Sequence, residues 1–84
     1  MKPRVIVAPD FRRMTEIFDA PTLERLDHVA EIVWGRDGPM PRDEFLAALE
    51  DATGVVFGTW HYGHDAIAEA GDSLRYIYEV AGGL

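Results

Sequence analysis

The sequence predicts an α/β fold, in which helices cover a parallel sheet of four strands in the order 2-1-3-4. Four short apolar runs alternate with segments of helical periodicity, and strands separated by helices pair in parallel. Two of the runs contain continuously apolar stretches, "VIVA" and "VVF", as in central strands that are covered on both faces. The other two runs mix charged residues into an alternating pattern, which is typical of edge strands.

The predicted strands are rich in Val, Ile, Tyr and Phe, the residues that strands favour. They cover residues 4–8, 30–34, 54–57 and 74–80. Glu31 interrupts the apolar residues of the second run. In the fourth run the tyrosines Tyr76 and Tyr78 share one face of the strand, and Arg75 and Glu79 share the other.

The helices are predicted from apolar periodicity and from proline. Met14, Ile17 and Phe18 have the i, i+3, i+4 spacing of one helix face. Pro21 interrupts this region and can open a second helical piece, so we expect two short helices or one kinked helix.

Two further helices are predicted between the later strands. Pro41 begins the first of them, whose buried stripe is Phe45, Leu46 and Leu49. A short helix is expected over residues 64–70, where Gly71 can provide its left-handed cap.

The strand order points to one place for a ligand. The order 2-1-3-4 is the flavodoxin-like order without its fifth strand, and the tail "AGGL" has no closing helix, so we expect an incomplete three-layer fold. Ligands of open α/β sheets bind at the carboxyl ends of the strands. The segments "PDF", "GTWHYG" and "AGG" follow three neighbouring strands and are therefore predicted to converge on one cleft.

Composition excludes several classes of function. The chain has 84 residues, enough for one small domain, and a net charge of −7 that disfavours nucleic acid and anionic membranes as partners. It has no cysteine, which excludes disulfides and thiolate chemistry. Without a secretory signal or a long apolar run, the expected location is the cytoplasm.

The histidines raise the question of a metal. His61 and His64 lie three positions apart in "GTWHYGH", but a metal site needs three or four ligands, and the chain has no HExxH motif. We expect no metal, and interpret His64 as a helix start and His28 as a residue that caps or solvates a helix end. His61 is either a group of the cleft or a solvent-facing loop residue, and Asp10 is interpreted as a cap or turn residue.

Other loop residues have more than one interpretation. Trp60 can line a pocket or cover the core. Gly82 and Gly83 can present backbone N–H groups to a carboxylate or a phosphate. No GxGxxG motif, phosphate-binding loop or Ser-His-Asp set is present.

Three stretches of the chain match a family pattern. They are "RVIVAPD", "EFLAALEDATGVVFGTW" and "IAEAGDSLRYIYEVAGG", and the last is similar to a pattern "a.LR.I...GGG" that leads into a cofactor domain. The "GTW" loop looks like the "tgWG" of one subgroup. Over nearly its whole length, the chain resembles the N-terminal part of the substrate domain of the D-isomer-specific 2-hydroxyacid dehydrogenases.

The resemblance implies that residues 1–84 are part of a flavodoxin-like substrate domain. It implies that Gly82 and Gly83 offer backbone amides to the substrate carboxylate, and that Trp60 and His61 border the substrate. It also implies a small 2-hydroxy or 2-keto acid as substrate, NAD or NADP as cofactor, and a homodimer. The loop after the second strand departs from the family's small or basic residues.

The family's cofactor fingerprint and its catalytic Arg, Glu and His come later in the sequences of its members. None of His28, His61 and His64 holds the position of that histidine. We therefore expect an N-terminal fragment of an NAD(P)-dependent dehydrogenase, with no catalytic residue or cofactor site of its own and no activity alone. The alternative is a stand-alone flavodoxin-like module for binding or protein interaction, which could pair through the uncovered edge of its fourth strand.

Overall fold

A computed structural model describes residues 2–9, 12–57 and 74–79 of the chain. The elements in these ranges are β1 (Arg4–Ala8), α1 (Met14–Ile17), α2 (Ala20–Val29), β2 (Glu31–Trp34), α3 (Arg42–Leu49), β3 (Gly54–Phe57) and β4 (Tyr76–Glu79). The strands form one sheet in the order β2-β1-β3-β4, and every neighbouring pair is parallel. The predicted α/β class and strand order are confirmed.

The strand bounds differ from the prediction only at the two edges. The second strand begins at Glu31 and not at residue 30, because Ala30 ends α2 by donating its N–H to the carbonyl of Leu26 at 2.8 Å. The fourth begins at Tyr76 and not at residue 74. The helix predicted over residues 64–70 lies outside the described residues.

The region around Pro21 forms two short helices, which is one of the two predicted arrangements. Phe18 has extended backbone angles and ends α1, and Asp19 then caps α2 by accepting the N–H of Thr22 at 2.8 Å. Pro21 lies in the first turn of α2, where its missing N–H costs no intrahelical bond. Pro41 was predicted as the first residue of its helix. It instead immediately precedes α3, and its carbonyl accepts the N–H of Phe45 at 2.9 Å.

One face of the sheet packs on α3 and forms the core. The strand register aligns four apolar residues in a row across this face, here called the α3-facing row: Val33, Ile6, Val55 and Ile77. Ile6 and Val55, in the middle of the row, are at most 2% exposed and pack in one cluster with Phe45 and Leu49 of α3. The predicted buried stripe of α3 is confirmed, with Leu46 partly buried beside it.

The opposite face of the sheet packs on α1 and α2. Val56 and Tyr78 lie on this face and line a groove with Ile17 and Phe18. The sheet therefore lies between two helical layers, as predicted. None of the helices in the described ranges has the length and apolar character needed to cross a lipid bilayer.

Candidate ligand-binding groove at the carboxyl ends of the strands

A groove of about 440 Å³ lies between α1, the start of α2 and the strands β3 and β4. We call it the α1–β4 groove. Its lining residues are Arg12, Glu16, Ile17, Phe18, Thr22, Val56 and Tyr78. The groove is near the carboxyl ends of the strands, because Arg12 follows β1 closely and Val56 and Tyr78 lie in the second halves of their strands.

Arg12 supplies the positive charge in the wall of the α1–β4 groove. Its backbone N–H donates to the carbonyl of Pro9 at 3.0 Å, which turns the chain after β1. Its Nη1 atom donates to Oε2 of Glu16 at 3.3 Å, and both side chains remain partly exposed to solvent. A guanidinium fixed in this way can form paired hydrogen bonds with a carboxylate ligand.

Glu16 is the counter-charge of Arg12 and also supports the start of α1. Its Oε1 atom accepts the backbone N–H of Arg13 at 2.8 Å. This backbone bond, followed by the hydrogen bond and charge of Arg12, lowers the pKa of Glu16 below its ordinary value of 4.5. The carboxylate is therefore ionised at neutral pH, and an anionic ligand competes with it for Arg12.

The loop after β2 has an unusual backbone that begins at Trp34. Trp34 has a φ of 73°, a left-handed conformation that bulky residues rarely adopt. Its indole Nε1 donates to the carbonyl of Gly38 at 3.3 Å, and the guanidinium of Arg36 lies 3.8 Å from its ring centroid. These contacts hold the loop against the end of β2, and the cation–π geometry is favourable.

Asp37 joins this loop to α1. Its Oδ1 atom accepts the backbone N–H of Met14 at 2.8 Å in a partly buried position. Met14 is the first residue of α1 and is itself buried, so Asp37 fixes the helix that carries Ile17 into the groove. The loops after β1 and β2 are thus connected at the carboxyl ends of the strands.

The sequence reasoning missed these residues of the second loop. It noted only that the loop departs from the family pattern that the chain resembles. The available signal was the pair Arg36 and Asp37 between two glycines, Gly35 and Gly38, which both have positive φ. Arg12 was missed as well, because it lies four positions beyond the end of β1 and no motif marks it.

The substrate-binding residues predicted from the sequence are Trp60, His61, Gly82 and Gly83, and all four lie outside the described residues. Asp10 and His64 lie outside them too. His28 is exposed in the last turn of α2, as the interpretation of a helix-end residue expects. Within the described ranges, no group of three or more His, Asp or Glu side chains is arranged to hold a metal ion.

Comparison of the chain with protein-family models, with curated proteins and with solved structures finds no match. A functional hypothesis therefore depends on the chemistry of the groove together with the resemblance in the sequence. Apolar walls with a few polar groups are typical of small-molecule sites. In the α1–β4 groove these polar groups are Arg12, Glu16, Thr22 and Tyr78.

Proposed function

We propose that the chain forms part of the substrate side of an NAD(P)-dependent D-2-hydroxyacid dehydrogenase, and that it binds the carboxylate of a small 2-hydroxy or 2-keto acid. The observation that carries the proposal is the α1–β4 groove, with the guanidinium of Arg12 in its wall. It lies near the carboxyl ends of parallel strands, where open α/β sheets bind ligands.

The groove offers a suitable partner for each part of such an acid. Arg12 is the cation for the carboxylate, and Ile17 and Phe18 provide apolar contact for a short alkyl group. The phenol of Tyr78 can donate a hydrogen bond to the 2-hydroxy or 2-keto oxygen. The resemblance adds backbone amides at Gly82 and Gly83.

The residues of this chain bind and orient the acid in the proposed reaction. When bound by the remainder of the enzyme, the nicotinamide of NAD or NADP supplies the hydride chemistry. The 84-residue chain is therefore expected to oxidise no NADH when it is mixed with 2-keto acids. Turnover by this chain alone would contradict the proposal.

Binding can be tested without turnover, by titrating ¹⁵N-labelled protein with pyruvate and 2-oxobutyrate. We expect amide shifts at Arg12, Thr22 and Tyr78, together with shifts at the predicted contacts His61 and Gly82. Acetate lacks the 2-keto oxygen and should bind more weakly. Saturable shifts confined to other surfaces, or no shift at millimolar acid, would reject the proposal.

Variants of Arg12 separate ligand binding from folding. Arg12→Ala should weaken binding of the acid by roughly tenfold or more, the loss expected for a charged hydrogen bond. Arg25→Ala is the matched control, since Arg25 is exposed on α2 and does not line the groove. Glu16→Gln keeps an acceptor for the N–H of Arg13 and removes the competing charge, so it should strengthen binding.

A second candidate function is a stand-alone flavodoxin-like module that binds a partner protein. It is favoured by the exposure of Tyr76, Ile77 and Tyr78 on β4. The coding sequence beyond Leu84 discriminates between the two functions. A reading frame that continues into a GxGxxG motif supports the dehydrogenase, and a stop codon supports the module.

A further inference from the structure

A second groove, of about 490 Å³, lies between α2 and β2. We call it the α2–β2 groove. Its walls are formed by Leu23, Glu24 and Asp27 of α2, and by Ile32, Trp34 and Gly35 at the end of β2. None of these residues lines the α1–β4 groove, so the two grooves are built from different side chains. A concave site of this volume can hold a small organic molecule.

The apolar walls of the α2–β2 groove are Leu23 on the helix and Ile32 on the strand. No residue of α2 is fully buried, and Leu23 is only partly covered. Ile32 is also partly exposed, on the face of the sheet opposite to Val33. Because α2 covers β2 incompletely, apolar surface remains between them, and a ligand that removes it from water gains binding energy.

Trp34 contributes an aromatic ring whose position is fixed within the protein itself. Its indole Nε1 donates to the carbonyl of Gly38 at 3.3 Å, and its backbone is held in the left-handed region at a φ of 73°. Such a conformation is unfavourable for a bulky residue, and it persists only where the surrounding contacts impose it. The guanidinium of Arg36 lies 3.8 Å from the ring centroid, so this ring already attracts a cation.

Two carboxylates supply the charge of the α2–β2 groove. Glu24 and Asp27 are three positions apart on α2 and therefore lie on the same side of the helix. Neither carboxylate forms an ion pair or a hydrogen bond with any described residue. Lys2 donates instead to the backbone carbonyl of Asp27 at 3.0 Å, and no described basic side chain lines the groove. The net charge of −7 also favours the approach of a cation.

We propose that the α2–β2 groove binds a small organic cation, in which a primary ammonium group is carried on an apolar or aromatic body. The ammonium interacts with the carboxylates of Glu24 and Asp27. The apolar body contacts Leu23, Ile32 and the ring of Trp34. This inference goes beyond the proposed function, since the two carboxylates repel the acids proposed for the α1–β4 groove.

A ligand series tests the two parts of this site, with ¹⁵N-labelled protein titrated with 2-phenylethylamine. We expect saturable shifts at the amides of Leu23, Asp27 and Gly35 and at the indole N–H of Trp34, with a dissociation constant on the order of 1 mM. 2-Phenylethanol keeps the aromatic body without the charge, and methylamine keeps the charge without the body. Each should bind roughly fivefold more weakly or worse. Equal binding of either compound would overturn the proposal.

Variants of the carboxylates test the charge while keeping the shape of each side chain. Glu24→Gln and Asp27→Asn should each weaken binding of 2-phenylethylamine by roughly two- to fivefold, as the loss of an exposed ion pair does. Neither should change the binding of 2-phenylethanol. Glu44→Gln is the matched control, because Glu44 is exposed on α3 and does not line the groove. An equal loss in the Glu44 variant would show that net charge, and not this groove, attracts the amine.

Competition with pyruvate separates this inference from the proposed function. Pyruvate should not displace 2-phenylethylamine, because the two ligands are assigned to different grooves. Displacement would mean that they share one site and would overturn the inference. The absence of saturable shifts in the α2–β2 groove at millimolar amine would overturn it as well, while shifts caused by pyruvate in the α1–β4 groove report on the proposed function alone.

Discussion

The two outer strands of the described sheet differ in the exposure of their side chains. On β2, Ile32, Val33 and Trp34 are all partly buried, and Glu31 pairs with Arg4 at 3.5 Å. On β4, every residue from Tyr76 to Tyr78 is more than half exposed. Both strands carry aromatic and branched side chains, so composition alone does not distinguish them. The lower exposure of β2 comes from the described elements beside it.

On the β2 side, these elements are α2 and the loop after the strand. The loop is tied down by Trp34, Arg36 and Asp37. Within the described ranges, α2 and this loop leave the apolar residues of β2 at most partly exposed, whereas those of β4 from Tyr76 to Tyr78 are more than half exposed.

The largest expected difference is in the stability that is lost when a residue in the middle or at the β4 end of the α3-facing row is truncated. Ile6→Ala should lower the free energy of unfolding by about 2–5 kcal/mol, because Ile6 is fully buried. Ile77→Ala should lower it by less than about 1 kcal/mol, since more than half of its side chain is already in water. Urea denaturation measures both.

Equal losses for Ile6→Ala and Ile77→Ala would mean that β4 is covered in solution, which would remove the contrast between the edges. Far-ultraviolet circular dichroism should confirm that both variants keep their secondary structure before unfolding.

A second prediction concerns the end of β2. Gly35 has a φ of 58°, and a Cβ atom there would lie 2.6 Å from Cγ2 of Ile32. Gly35→Ala should therefore lower the free energy of unfolding by about 1–2 kcal/mol because of the left-handed backbone. The close contact with Ile32 should add to this loss. Gly38→Ala is the control: φ is 94°, and no described atom lies within 4 Å of the added Cβ. If the two variants lose the same stability in urea denaturation, the close contact has no effect.

Local patterns in the sequence predicted much of the fold. The inner strands β1 and β3 have the predicted bounds, because a strand buried on both faces is apolar without interruption. The break between α1 and α2 followed from Pro21, whose effect is also local.

The features that were missed depend on residues distant in the sequence. The bond from Met14 to Asp37 joins residues 23 positions apart, and no periodicity encodes it. Arg12 reaches the same groove as Tyr78 only because the sheet places β4 beside β3. The predicted contacts Trp60 and His61 lie outside the described residues and stay predictions.

A third, smaller effect is expected at Asp37. Asp37→Ala removes the acceptor for the N–H of Met14 and should cost about 1 kcal/mol, as the loss of a helix cap does. Hydrogen exchange at Met14 should become faster, and the proposed binding of 2-keto acids should weaken as α1 shifts. Asp37→Asn keeps an acceptor oxygen and should restore most of the stability. An Asn variant as unstable as the Ala variant would show that the charge, and not the hydrogen bond, matters.

The smallest expected effect is a loss of stability of α1 and α2 at acidic pH. The hydrogen bonds of Thr22 lower the pKa of Asp19 below its ordinary value of 3.8, and the N–H of Arg13 and the guanidinium of Arg12 lower that of Glu16. A carboxylate whose pKa is lower in the folded state contributes stability above its unfolded pKa. That contribution is lost as the pH falls through the folded pKa.

Carbon-13 titration of the side-chain carboxyls should therefore give values below 3.8 for Asp19 and below 4.5 for Glu16. Acidification should accelerate hydrogen exchange at the N-terminal ends of α1 and α2 relative to α3, after correction for the intrinsic pH dependence of exchange. Asp19→Asn retains an acceptor for Thr22 and should make α2 insensitive to this change. Unshifted titrations of both carboxyls would show that the caps do not persist in solution, and the packing of α2 on β2 would then be weaker than the structure indicates.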